Sequence, residues 1–270
     1  GIAEGVLAQC VSLADKLDTL AGIFAVGMKP TGNKDPFALR RAALGLARTL
    51  VEGSLDLELG VLLKEAVVQV PDPAFAARPK SDDSSANGRT ASHARRAEVV
   101  AELREFVLDR LRGYYTERGF TSQQFEAVAA VQPASLVDFD RRLRAVAAFA
   151  EQPEAEKLAA ANKRVANILR KQAEEVDAPP IGRVVDPAHF EADAERELAD
   201  ALASAQRDSA AALAAGDYTA VLARLSQLQV PVDAFFDNVL VNADAPAVRA
   251  NRLALLGQLK AQFGGRTERA

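Results

Sequence analysis

Apolar residues recur at steps of three and four along most of this chain, which is the period of amphipathic helices. From Glu4 to Leu20 the set is Val6, Leu7, Cys10, Leu13, Ala14, Leu17 and Leu20, and the helix is expected to break at the glycines that follow. Gly27, Pro30, Thr31, Gly32 and Asn33 form a turn-rich loop. Asp35 then offers an N-cap carboxylate and Pro36 a first helical residue, so the spacing predicts a helix from Asp35 through Leu39, Ala43, Leu46 and Leu50. A further helix is predicted over Asp56 to Val70, with Leu57, Val61, Leu62, Ala66 and Val70 on its inner side. Residues 76–97, AARPKSDDSSANGRTASHARRA, carry no aliphatic side chain larger than Ala and read as a flexible linker or insertion.

The periodicity resumes at Val99, Leu103, Phe106, Val107, Leu111 and Tyr114 and stops near Gly119. Thr121 or Ser122 caps a short helix with Phe125, Val128 and Ala129 inward. Leu136, Phe139, Leu143, Val146 and Phe149 mark the next, and Glu154 to Val176 a longer one closed by Pro179, Pro180 and Gly182. Asp186 with Pro187, the Ala-rich stretch 191–215 ending at Gly216, and Asp217 open the elements that follow. Val232 to Val241, and Asp244 onward to Phe263, complete the set. Alternating β-branched runs are nearly absent, so the predicted class is all-α, a set of multi-helix bundles.

Composition narrows the function. The chain has 270 residues, 49% of them apolar, with 12 Phe, 3 Tyr and no Trp, which suits closely packed helices. Its net charge of -4 excludes a uniformly basic coat but leaves room for a local cationic face. The single cysteine, Cys10, has no internal disulfide partner and reads as a small core residue. No stretch is long and apolar enough for a membrane span or a secretory leader, so a cytoplasmic setting without membrane contact is expected.

Three constellations bear on chemistry. LADKLDTL, Leu13 to Leu20, looks like the last signature of the HD phosphohydrolase fold, with Asp15 at its carboxylate position. One carboxylate does not hold a divalent ion, and the two histidines, His93 and His189, lie downstream in polar surroundings. A surface role for Asp15 is preferred, with no metal site and no catalytic residue expected. In KPTGNKDPFALRR, Lys29 and Lys34 flank a glycine-containing loop and Arg40 and Arg41 follow on a helix, a plausible phosphate-contacting surface. It is not a nucleotide-binding P-loop, because the Gly-Lys-Ser/Thr ending and the preceding strand are missing. On Lys157 to Val176, Leu158, Ala161, Val165, Ile168, Leu169 and Val176 point inward, leaving Lys163, Asn167 and Arg170 outward with Arg164 and Lys171 beside them. That stripe suits a ribose-phosphate backbone, although a solvated charged face has the same pattern.

Taken together, LADKLDTLAGIFAVGMKPTGNKDPFALRRAALG (Leu13 to Gly45), LDRLRGYYTERGF (Leu108 to Phe120), AAANKRVANIL (Ala159 to Leu169) and FFDNVLVNADAPAVRANRLALL (Phe235 to Leu256) resemble the beta subunit of the bacterial two-subunit glycyl-tRNA synthetase. The resemblance implies that residues 1–75 are the C-terminal part of an HD-like helical domain and 98–152 a helical connection. It further implies that 153–264 form a DALR-like anticodon-binding domain. Its implied partners are tRNA(Gly) and an alpha subunit that activates glycine with ATP, so no cofactor is expected in this stretch, and no DNA. The implied tRNA-binding residues are Lys163, Arg164, Asn167, Arg170 and Lys171, with Lys29, Lys34, Arg40 and Arg41. Tyr114, Tyr115 and Tyr218 are secondary candidates for stacking bases, though each also fits a core or rim position. The Ser-rich insertion and the terminal GGRTERA depart from the family pattern. The competing expectation is a helical scaffold that holds a partner subunit without touching RNA.

Overall fold

The computed structural model describes residues 1–75, 88–174 and 184–264. Its packing divides the chain into two units, Gly1–Asp140 and Arg141–Ala270. Among the described residues every regular element is helical, apart from isolated β-bridges such as Glu58 with Ser135.

In the first unit, α1 (Val6–Ala25) packs on α2 (Leu39–Glu52), α3 (Leu59–Gln69) and α4 (Gly88–Thr116). Its inner stripe is Leu13, Leu20, Ala21, Phe24 and Ala25, further along the helix than the sequence pattern placed it. Val6, Leu7, Val11 and Cys10 are exposed, so Cys10 is not the core residue expected. The helix runs through Gly22 and ends at Ala25, just ahead of Gly27, φ 75°, where the turn-rich loop opens. The stripe of α3 is likewise Leu59, Leu63 and Val67, while Leu57 and Val61 face outward.

The helix expected from Asp35 begins at Leu39. Asp35 does cap it, but from a tight turn: its carboxylate accepts the N–H groups of Leu39 at 2.8 Å and Arg40 at 3.0 Å. Pro36 and Phe37 occupy the turn, and Ala38 takes a left-handed conformation, φ 52°, to enter the helix. Residues 76–87 of the expected linker lie outside the described residues. From Gly88 onward the expectation is corrected: 88–97 belong to α4. Arg96 explains why this polar stretch holds a helix. Its guanidinium donates to the Val70 carbonyl and to Asp72, both at 2.8 Å, and lies over the Phe75 ring, satisfying carbonyls left open where α3 ends.

α4 is followed by Gly119, φ 90°, and Thr121 opens α5 (Ser122–Ala130) with a reciprocal capping box to Gln124. Tyr115, fully buried, lies against Phe120, Phe125 and Phe139 and donates to Asp140 at 2.8 Å. Phe139 belongs to α6 (Leu136–Ala150), within which the division between the units falls.

The second unit is built from α7 (Pro153–Glu174), α8 (Asp193–Ala214), α9 (Tyr218–Ser226), α10 (Gln229–Asn238) and α11 (Pro246–Gly264). Asp186 and Pro187 start only a 3₁₀ turn, Pro187–His189, rather than the helix expected there. Asp217 caps α9 as expected, accepting the Ala220 N–H at 3.0 Å. The core is Leu158, Val165 and Leu169 of α7, Leu198 and Leu202 of α8, Leu225, Leu228, Val232 and Phe235, and Leu253, Leu255, Leu256 and Leu259 of α11.

Two substitutions test this packing. Phe235 is fully buried at the centre of the second core, so Phe235→Ala is expected to cost about 3–5 kcal/mol in urea unfolding. Ala38→Gly removes the strain of a Cβ in left-handed backbone and is expected to stabilise the first unit by about 1 kcal/mol in the same measurement.

Candidate nucleic-acid interface

The residues predicted to meet RNA fall into two sets, one in each unit. In the first set, around α2, most of the binding capacity is already used by the chain itself. Lys29 is ion-paired with Glu102 at 2.5 Å and lies over the Phe24 ring. Arg40 donates to the Gly32 carbonyl. Thr31 and Lys34 exchange backbone hydrogen bonds at 3.2 and 2.9 Å, so these N–H groups are not presented to an anion. The N–H groups of Leu39 and Arg40 at the start of α2 point at Asp35. Lys34 and Arg41 remain as exposed cations.

The second set lies on α7. Leu158, Val165, Leu169 and Gln172 are buried, and Ala161 and Ile168 are half-buried against the same core. The helical period then turns Lys163, Arg164, Asn167, Arg170 and Lys171 to solvent, and all five are exposed. Arg170 makes an ion pair with Glu174 at 2.9 Å, with both side chains more than half exposed, so water and salt screen it heavily. The Arg164 guanidinium sits 4.1 Å from the centre of the Phe236 ring on α10. Among the described residues, neither Lys163 nor Lys171 makes an ion pair.

The tyrosines are placed differently. Tyr115 is fully buried, and Tyr114 is buried with its hydroxyl donating to Glu52 at 3.0 Å and Arg118 over its ring. Neither is presented to stack a base. Tyr218 is half-buried beneath the Arg142 guanidinium, 4.2 Å from the ring centre. Asp15 is exposed on α1, where its neighbour Lys16 donates to the Ser12 hydroxyl at 2.6 Å. His93 is exposed on α4, and His189 lies 3.2 Å from Asp186.

The packing of α11 on α8, beside which α7 lies, is fixed by a polar cluster that the periodicity does not reveal. Arg252, within NRLALL on α11, is buried, and Glu195 on α8 is wholly so. Arg252 Nε donates to Glu195 at 2.8 Å, one Nη donates to Glu191 at 2.9 Å, and the other donates to the Leu240 carbonyl at 3.0 Å. The Glu195 carboxylate also accepts the N–H groups of Ala192 at 2.8 Å and Glu191 at 2.9 Å, the acidic half of a capping box at the start of α8. Beside it, Asn251 pairs with the backbone of Asp186, accepting its N–H at 2.7 Å and donating to its carbonyl at 3.0 Å. Burial alone raises the Glu195 pKa, but the bonds from Arg252 and the two N–H groups outweigh it and hold the carboxyl below its ordinary value. The same contact raises Arg252 above its own. The sign of a charged residue inside an apolar run was visible in NRLALL; its partner, 57 residues earlier, was not.

These features define an all-helical protein whose second unit presents a cation-and-amide stripe on α7 and joins α8 to α11 through a buried ion pair. Sequence comparison supplies the class. Residues 158–264 match the DALR anticodon binding domain, and residues 2–130 match the family described as glycyl-tRNA synthetase beta subunit. The chain is 49% identical over 263 residues to a protein named glycine-tRNA ligase beta subunit from Xanthomonas campestris pv. campestris (strain 8004), covering 97% of this chain and 35% of that one. Proteins of the same name from Pseudomonas aeruginosa (strain LESB58) and Methylobacillus flagellatus are each 47% identical, over 94% and 92% of this chain. They are covered over 34% and 32% of their own lengths, so this chain spans about a third of the relatives it matches. It belongs to the glycyl-tRNA synthetase beta-subunit family.

Because the folded-state pKa of Glu195 is depressed, its contribution to stability is complete above the ordinary glutamate pKa and is lost as pH falls through the lower folded value. Acid unfolding followed by circular dichroism is therefore expected to lose part of its pH dependence below about pH 4.3 in Glu195→Gln. At neutral pH, Arg252→Met is expected to cost about 3–5 kcal/mol by stranding the carboxylate, and the double change Arg252→Met, Glu195→Gln less than the sum of the two.

Proposed function

We propose that this chain is the tRNA-recognition part of the beta subunit of the two-subunit glycyl-tRNA synthetase, and that it binds tRNA(Gly), including the anticodon region. The observation that carries this reading is the exposed stripe of Lys163, Arg164, Asn167, Arg170 and Lys171, which lies inside the residues matching the anticodon-binding domain. A rigid helix with its apolar side buried holds such groups at fixed spacing along a ribose-phosphate backbone. Lys34 and Arg41 are candidates for weaker, outlying contacts. Lys29 and Arg40 contribute less, because their charges and donors are engaged within the chain.

On this reading the chain is a ligase component and works beside an alpha subunit that uses ATP to activate glycine. It acts in the cytoplasm, with no cofactor of its own and no part in binding DNA. Among the described residues no helix is long and apolar enough to cross a membrane. Glycine-dependent ATP-pyrophosphate exchange is not expected of the chain alone, and measurable exchange would overturn the division of labour.

The binding test is charge reversal. Arg164→Glu with Lys171→Glu is expected to leave helical circular dichroism intact, since exposed substitutions change stability by about 0.5 kcal/mol or less. Affinity for tRNA(Gly) is expected to fall, and the dependence of log K on log salt to flatten by about 0.7–0.9 for each phosphate the variant no longer neutralises. Lys64→Glu, at an exposed position of α3, serves as the control that changes neither. Unchanged affinity and slope in the double variant would remove α7 from the interface and favour the scaffold reading.

A further inference from the structure

Arg164 differs from the other cations of the stripe in what lies beneath it. Phe235 is fully buried, Phe236 meets it edge-on with ring centres 5.6 Å apart, and the Arg164 guanidinium covers the Phe236 ring at 4.1 Å. The guanidinium is thus held over an aromatic ring that itself packs against the core, while its residue remains exposed to solvent. A guanidinium fixed in this way offers its outer face as a flat, weakly hydrated surface, which a lysine ammonium cannot do. RNA loop bases stack on such planes. The surroundings favour a base over a phosphate. Asp233 and Asp237 are exposed on α10 within a turn of Phe236, where they repel an anion yet accept hydrogen bonds from amino groups. Asn167 stands one helical turn from Arg164 and carries both a donor and an acceptor for a base edge.

Resting on the RNA-binding reading above, we infer that Arg164 and Phe236 form a stacking seat for an unpaired RNA base, with Asn167 addressing its edge and Lys163 and Lys171 meeting the flanking phosphates. Arg164 then contributes contact area rather than counterion release. A base stacked on a protein surface is worth enough that losing the seat weakens binding about ten-fold, without altering the salt slope.

The test uses the full chain with two transcribed probes: a hairpin carrying the tRNA(Gly) anticodon loop with 2-aminopurine placed in the loop, and a blunt duplex of the same stem. Wild type is expected to prefer the hairpin and to change the 2-aminopurine fluorescence. Arg164→Lys, which keeps the charge, is expected to lose about ten-fold in hairpin affinity and most of the fluorescence change, with salt slope and duplex binding unaltered. Phe236→Leu is expected to match it wherever its thermal midpoint shows a folded chain, and Arg164→Lys decides alone otherwise. Undiminished hairpin binding by Arg164→Lys, or equal binding of both probes by wild type, would overturn the stacking seat while leaving the RNA reading in place. Binding of neither probe nor whole tRNA by wild type would overturn the RNA reading itself.

Discussion

A guanidinium enclosed among leucines must be answered in full or the helix carrying it will not stay there, because removing such a charge from water costs several kcal/mol. Arg252 imposes that demand on the second unit. Glu195, Glu191 and the Leu240 carbonyl meet it from α8 and from the turns beside α8 and α11, and Asn251 adds a paired bond to the Asp186 backbone. Leucine-on-leucine contacts tolerate a slip of part of a turn, whereas the fork of an arginine meets a carboxylate in one arrangement. The register of α11 on α8 is therefore set by polar groups and filled in by apolar ones. Leu158, Val165 and Leu169 of α7 enter that same core, and the direction in which Lys163, Arg164 and Asn167 face follows from the burial of that apolar side against α11 and α10.

Charge is used in two ways along this chain, and the partners of each group decide which. Arg96 closes the end of α3, Arg252 locks α11, Arg40 binds the loop ahead of α2, and Lys29 pairs with Glu102. Each of these positions is half-buried or buried and stabilises its own unit. The α7 stripe lies on a helix whose buried side already supplies its packing, so its cations contribute little to folding and remain available. A count of basic residues in the sequence mixes these two populations, and only the geometry separates them.

Local signals were legible because they are satisfied within a few residues. A cap at Thr121 or Ser122, which the structure resolves as Thr121, the Asp217 cap, and the turns at Gly119 and Gly216 could be placed from sequence, and so could the inward face of α7 up to Leu169, Val176 lying outside the described residues. The registers of α1 and α3 were not. LGVLLKEAVVQ is apolar nearly all round, so periodicity offers two acceptable stripes, and the neighbours of α3 select Leu59, Leu63 and Val67. In α1 the first turns carry Val6 and Leu7 outward, and the stripe begins only at Leu13, where α2, α3 and α4 can cover it. The Asp35 cap is legible in the sequence but the start of its helix is not, since Pro36 fits a tight turn as readily as a first helical position. At the candidate interface the exposed cations could be named from spacing alone. The seat under Arg164 could not, because Phe236 lies on a different helix, far along the chain, and nothing local links the two.

A polyanion approaching a chain of net charge -4 gains little from the overall field. Attraction must come from groups close enough to escape screening, within a Debye length of about 8–10 Å. On the proposed reading this makes orientation part of recognition. The balance of 37 acidic against 33 basic residues gives RNA no general attraction, and the α7 stripe is where cations, an amide and a stacked guanidinium coincide. Double-stranded backbone can use the lysines but not the guanidinium plane, while a loop with splayed bases can use both. Selectivity for an unpaired loop then needs no large basic surface, only one flat, rigid contact beside a few well-spaced charges.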